Sequence, residues 1–350
     1  MNARRVTWLL LAGLLVIAFA IWLSSLRHLE RATLSGDLVL PGLEPGINSV
    51  TEVRLRKADD THATLKRSDA GGWTVQERGW PAQVSKVRKL LLDLGALNVV
   101  EEKTHLPANY PALGVEDLST PKATGTEVRV TAAAHTWTLI VGKPSGGKSG
   151  YVRLANSPTS MLAAPLVSVA AEPKAWLDTA LLDLPAERVR EIEEHPADAV
   201  AYTASRQKTD DVHFSVSALP KGRELSAPSA ADSLGAALSG LTLEDVARAG
   251  DPGTPAAWAV FRTFDGLELQ VSGRKEGTRS LVTLDARPAQ PAAAEEAQRL
   301  KTRLSGWEFE IPDYKYAAIF SPLTDLLKPL PPPAKKAPAP SAGPKPPGAG

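Results

Sequence analysis

Residues 136–154 read Thr-Trp-Thr-Leu-Ile-Val-Gly-Lys-Pro-Ser-Gly-Gly-Lys-Ser-Gly-Tyr-Val-Arg-Leu. They admit two readings, and the choice between them decides the fold. Gly142 to Ser149 fits the phosphate-binding loop pattern G-x-x-x-x-G-K-[ST], and a strand, Thr138 to Val141, precedes it. Such a loop needs a helix directly after its lysine and serine, because the helix N-terminus supplies amide groups and a positive dipole end to the phosphates. Here Gly150-Tyr151-Val152-Arg153-Leu154 follows, which is a strand pattern. Two strands joined by Gly, Ser, Lys and Pro describe a hairpin. No apolar strand ending in aspartate lies downstream to hold magnesium, and Leu90-Leu91-Leu92-Asp93 sits upstream within a predicted helix. Gly142, Gly147, Lys148 and Ser149 are therefore read as a hairpin tip, and no cofactor is expected.

Outward from that hairpin the alternation continues. Glu127 to Val130, Thr136 to Val141 and Tyr151 to Leu154 form one meander, and Trp258 to Arg262, Leu267 to Val271 and Leu281 to Leu284 form another. Upstream of the first lie Ile47, Val50, Val53 and Leu55, then Ala63 to Arg67 and Trp73-Thr74-Val75. Upstream of the second lie Val189 and Ile192, then Ala201 to Arg206 and Phe214-Ser215-Val216. Each copy has apolar residues at helical spacing: Val84, Val87, Leu91 and Leu94, against Ala231, Leu234, Leu238 and Leu241. The offset in these four pairs is constant and extends to Val99 and Val246, and each copy closes on a tryptophan, Trp176 or Trp307. This predicts an α+β fold: two tandem modules, 47–188 and 189–328, each an antiparallel sheet with a packed helix.

The ends differ from the body. Val6 to Leu23 is an uncharged, apolar run with Trp8 and Trp22 near its ends, and it is expected to span a membrane as one helix. Ala18-Phe19-Ala20 matches a signal-peptide cleavage pattern, but Ile21-Trp22-Leu23 carries the apolar run past it, which favours an uncleaved anchor. Arg4 and Arg5 before the span tie with Arg27 and Arg31 after it. The short tail, residues 1–5, favours a cytoplasmic N-terminus and a periplasmic body at a bacterial inner membrane. Residues 24–46 read as a linker closed by the Pro41-Gly42 turn, and 329–350, mostly Pro, Ala, Lys and Gly, as a disordered tail.

Chemistry-bearing patterns are sparse. The chain has no cysteine, so disulfides, thiolate zinc sites and cysteine nucleophiles are excluded. A net charge of +1 gives no footprint for nucleic acid, and no nucleic-acid partner is expected. The six histidines lie outside ligand spacing of one another, so no metal site is expected. Glu191, Glu193, Glu194 and His195 form one acidic cluster, read as a solvated strand end before Pro196. No G-x-S-x-G elbow occurs, so no catalytic residue is assigned and the chain reads as a non-enzyme. The tryptophans at 73, 80, 137, 176, 258 and 307 recur at strand positions and read as core.

Several short motifs, in this order, resemble a bacterial family. They are the anchor, the Leu40-Pro41-Gly42-Leu43 turn, Gly72-Trp73-Thr74-Val75, the Pro81 to Val99 helix region, Leu139-Ile140-Val141-Gly142 with Gly150-Tyr151-Val152-Arg153, and Trp176-Leu177-Asp178 leading to Leu181-Leu182-Asp183. The family is domain of unknown function 4340, and the resemblance covers roughly Leu38 to Leu327. It implies a membrane-anchored accessory protein beside an ABC-type permease and a gliding-motility-type auxiliary protein, and it supplies no catalytic residues. Membrane lipid, through residues 6–23, is the other expected partner. Two alternatives stand beside this scaffold reading. One is a nucleotide-binding or hydrolytic component using Gly142 to Ser149. The other is an envelope glycan or lipid binder with a deep apolar pocket between the modules.

Overall fold

A computed structural model describes residues 36–329 apart from 69–70, 134, 218 and 251–255. The run Val6 to Leu23 and nearly all of the Pro-rich tail lie outside these residues. Among the described residues no helix is long and apolar enough to cross a membrane.

The first strands are β1 Val50–Arg56, β2 His62–Arg67, β3 Trp73–Val75, β4 Trp80–Pro81 and β5 Asn98–Thr104. A meander follows, β6 Thr126–Ala132, β7 His135–Pro144, β8 Gly150–Leu154 and β9 Ser160–Ala164. Next come β10 Ala180–Leu182, β11 Val189–His195, β12 Tyr202–Ser205, β13 Ser215–Val216, β14 Leu241–Thr242 and β15 Asp245–Arg248. The last four are β16 Ala257–Thr263, β17 Leu267–Glu276, β18 Arg279–Pro288 and β19 Trp307–Ile311. Against these nineteen strands the longest described helix, Val84–Gly95, has 12 residues. The α+β expectation is therefore corrected: the body is mostly antiparallel sheet with helices as minor elements, and the described part shows no spanning helix before it.

The chain forms two compact units. The first takes residues up to Leu181 together with Thr242–Gly250 and Gly306–Pro312. Its main sheet has the order β4-β3-β2-β1-β6-β7-β8-β9-β5, with antiparallel neighbours throughout. Alternation buries Val53 and Leu55 of β1 and Val128 and Val130 of β6. At Leu139, Ile140 and Val141 the alternation stops, and three consecutive residues are buried because both faces of β7 are covered. The Val84–Gly95 helix buries Val87, Leu90, Leu91 and Leu94, whereas Val84, expected on that face, is half exposed.

The second unit takes Leu182–Leu241, Asp251–Ser305 and the residues from Asp313 onward. Its strands run β13-β12-β11-β16-β17-β18, the same order as β3-β2-β1-β6-β7-β8. The correspondence reaches single residues. Val53 pairs with Leu65 and Ile192 with Ala204, so both members of the pair are displaced by 139 positions. The register shift at Val50/Glu52 recurs at Val189/Glu191. The helix expected from Ala231, Leu234, Leu238 and Leu241 shrinks to Asp232–Gly235. All four residues are buried, so the spacing reported burial correctly, but Gly235 and the Ser239-Gly240 turn prevent a continuous helix. The long helix here is Ala294–Leu304, which lies against β18.

Two strands from late in the chain complete the first unit. β15 pairs antiparallel with β19, as β5 does with β9. The Trp80 indole, 1% exposed, meets Trp307 edge-on at 5.4 Å and Phe309 at 5.2 Å, and its Nε1 donates to the Asp178 carbonyl at 3.0 Å. Arg78 makes a two-pronged pair with Asp245, at 2.6 and 2.8 Å, and the Arg248 guanidinium lies 3.6 Å over the Trp307 ring. Trp307→Ala is expected to cost about 3–5 kcal/mol in denaturant unfolding. A loss below about 1 kcal/mol, the level of an ordinary surface change, would show that the cluster does not hold the unit together.

Candidate functional site

The loop singled out by its sequence does structural work of a different kind. Gly142 to Pro144 end β7, Ser145 to Ser149 join it to β8, and Gly146 and Gly147 both hold positive φ at the tip. Ser145 N donates to Ser149 O at 3.0 Å across the turn. The residue after Ser149 enters a strand, so no helix starts at the loop to receive a phosphate. Lys148 is exposed at the tip. Lys143 reaches instead to the carbonyls of Pro111 and Ala112, at 2.9 and 3.3 Å, where it caps the short Tyr110–Leu113 helix.

Gly142 matters for close packing. A side chain there would place its Cβ 2.4 Å from the Leu113 carbonyl oxygen and 2.9 Å from that of Gly114. At Gly125 it would come within 2.5 Å of the same Gly114 oxygen. These two glycines let the 105–125 excursion settle backbone-first on the sheet. Tyr110, Val115 and Ile140 then form a small core, with Leu113, Leu118 and Tyr151 packed against it.

This cover buries a cation. Arg153 of β8 faces the same side as its partner Ile140 and is only 3% exposed. Its Nε donates to Val115 O at 2.9 Å, Nη1 to Ser157 O at 3.1 Å, and Nη2 to the Asp117 carboxylate. The Tyr110 ring lies 4.7 Å from the guanidinium, and the Tyr110 hydroxyl donates to the Pro158 carbonyl. A buried guanidinium is tolerable because each of its three nitrogens donates to an acceptor in this way. Beside it opens a cavity of about 490 Å³, lined by Tyr110, Asp117, Arg153, Asn156 and the buried Glu116. Glu116 Oε2 is enclosed and has no hydrogen-bonding partner. A second groove, of about 580 Å³, adjoins it and shares Ala155 and Asn156. It is lined by Trp137, His135, Glu127 and Arg129, and the Trp137 Nε1 donates to Pro41 O at 3.1 Å.

A model of the family described as domain of unknown function (DUF4340) matches residues 73–257. That is more than half of the chain. The chain belongs to the DUF4340 family. No curated protein and no solved structure matches it. The DUF4340 match takes in the whole 105–125 excursion, Arg153, Trp137 and the β11 acidic cluster, and it ends at the first residue of β16.

That acidic cluster separates into two faces. Arg262 binds Glu191 at 2.7 Å, Glu193 at 3.0 Å and Glu268 at 3.0 Å across three adjacent strands. His195 contacts Glu193 at 3.2 Å and stacks on Trp258 at 3.5 Å. Among the described residues no group of three His, Asp or Glu side chains is placed to hold a metal. Glu194 departs from the solvated reading. It is fully buried, neither carboxylate oxygen has a partner, and burial pushes its carboxyl up to about 9. The repeat shows how unusual this is: Glu194 pairs with Tyr202 where the first unit pairs Leu55 with Ala63. The tryptophan reading also divides. Trp73, Trp80, Trp176 and Trp307 are buried, but Trp137 and Trp258, near strand ends, are only partly buried.

Two predictions follow from this geometry. Gly142→Ala should lose about 1–3 kcal/mol by overpacking, while Lys148→Ala should stay within about 0.5 kcal/mol of the parent. ATP should leave the melting temperature unchanged in both. An ATP-induced rise that disappears in Lys148→Ala would overturn the hairpin assignment. For Glu194 the folded state keeps its proton up to about pH 9, whereas the unfolded chain ionises near the ordinary glutamate value of about 4.3. The folded state therefore loses ground as pH rises between those values. Glu194→Gln should match the parent at pH 4.5 and melt several degrees higher at pH 8. An equal difference at both pH values would refute the assignment.

Proposed function

We propose that this DUF4340 protein is a membrane-tethered accessory module that holds a β-rich binding body beside an ABC-type permease. The observation that carries the tether is the run from Val6 to Leu23: eighteen residues without a charge, bracketed by Arg4, Arg5, Arg27 and Arg31. Such a run is long enough to cross the hydrocarbon core as a helix. The short leading segment favours an N-terminus in the cytoplasm and a body in the periplasm. The transporter part of the proposal rests on the resemblance described above, since the matched family model carries no function of its own. The first unit's grooves give the body a surface with which to bind rather than merely to fill space.

Two measurements separate the parts of this proposal. The full chain should stay with membranes through an alkaline carbonate wash, and Leu14→Arg combined with Ile17→Arg should release it. Release of the parent chain would end the tether. Photo-crosslinkers placed across the body in cells should capture a polytopic permease. Failure to capture one, with the chain still membrane-bound, would remove the transporter and leave the tether standing.

A further inference from the structure

We propose that the paired grooves of the first unit bind a neutral saccharide, with Glu116 and Arg153 as its buried polar contacts and Asn156 between the two grooves. This inference is independent of the membrane tether.

The chemistry of the lining selects the ligand class. Burying an acceptor without a donor costs about 1–3 kcal/mol, and Glu116, which lines the cavity of about 490 Å³, carries such an acceptor in its enclosed Oε2. A small turn of this side chain toward the cavity lets a hydroxyl or N–H donor from outside the chain satisfy it. Arg153 spends one hydrogen on each of Val115, Ser157 and Asp117, which leaves roughly two of its five N–H groups for an acceptor. A group that both donates and accepts, repeated along a chain, meets both demands, and a polyol does so. The charges argue the same way. Glu116 and Asp117 outnumber Arg153 in one groove, and Glu127 balances Arg129 in the other. An anionic phosphate or lipid headgroup would meet net repulsion or no attraction. An acyl chain would leave the buried carboxylate and guanidinium in contact with hydrocarbon. The adjoining groove adds Trp137, whose indole is held by the Pro41 carbonyl and can pack against the apolar face of a sugar ring. Asn156 is exposed and lines both grooves, so one ligand of two or three sugar units can run past it from one to the other.

The test uses the full-length chain in a detergent without a sugar headgroup. Chitotriose, maltotriose and cellotriose are titrated by calorimetry, with inorganic phosphate and phosphatidylglycerol vesicles run in parallel. At least one trisaccharide should bind with a Kd at or below about 1 mM. Glu116→Ala and Asn156→Ala should each weaken it about tenfold or more. Asn156→Ala lies on the exposed rim and should keep the parent melting temperature, so its loss of binding is not a loss of fold. The proposal is overturned if none of the three binds, if binding survives both substitutions, or if phosphate or the vesicles bind in their place. It is equally overturned if a high-resolution structure soaked in the trisaccharides shows only water in the two grooves.

Discussion

The close approach of the Leu113 and Gly114 carbonyls to Gly125 and Gly142 is the contact on which the rest of the first unit's grooved face depends. Antiparallel strands leave two faces, and a face can stay wet or be covered. Here the 105–125 excursion covers one, and it can lie that close only because Gly142 of β7 and Gly125, just before β6, lack a Cβ. Once it is down, Arg153 loses its water and must take its partners from the cover itself: the Val115 carbonyl, the Asp117 carboxylate and the Tyr110 ring. The cavity is what remains at the edge of the cover, so its polar lining follows from backbone packing.

Duplication supplies an internal control for reading the second unit. Where strand order, pairing and register shift are held constant, a residue that changes character stands out. At the position of Leu55 the second unit carries Glu194, and at that of Ala63 it carries Tyr202. The Tyr202 hydroxyl is satisfied by the Ser321 carbonyl at 2.8 Å, whereas the Glu194 oxygens are not satisfied at all. A leucine at this position in one copy and an isolated carboxyl in the other mean that the two sheets share an architecture while the second carries a pH-dependent cost at this one site.

Much of the sheet was legible because period-two alternation is a local signal. Glu127 to Val130, Leu267 to Val271 and the strand after Ser149 could all be read from their own letters. The helical content was not legible in the same way. Ala231, Leu234, Leu238 and Leu241 keep helical spacing and are buried, yet spacing records only which side chains face inward, and Gly235 decides the backbone. The Ala294–Leu304 helix was passed over because its apolar residues are few and small, and only Ala297 and Leu304 are buried. The paired grooves left no sequence signature. Arg153 looks like the polar half of an alternating strand, and Trp137 like its apolar half. Their roles come from a cover segment contributed by residues some forty positions upstream of Arg153 and from the end of the neighbouring strand. Alternation along a strand puts Glu194 on the opposite face from Glu191 and Glu193, but a run of acidic residues normally marks solvent, and only the packed sheet shows that this opposite face is buried.

The partners of Trp80 also set the order of events at the chain's birth. Trp307 and Phe309 are synthesised more than two hundred residues after the indole they cover, and Asp245, the partner of Arg78, comes more than a hundred and sixty residues after that arginine. The first unit therefore cannot be finished while its own half of the chain is all that has emerged. Until the last strand arrives it must wait with a large aromatic surface open to solvent or to a helper protein. A polypeptide built this way is committed to folding as one piece, and a truncation anywhere before residue 312 leaves the earliest module incomplete as well as the latest.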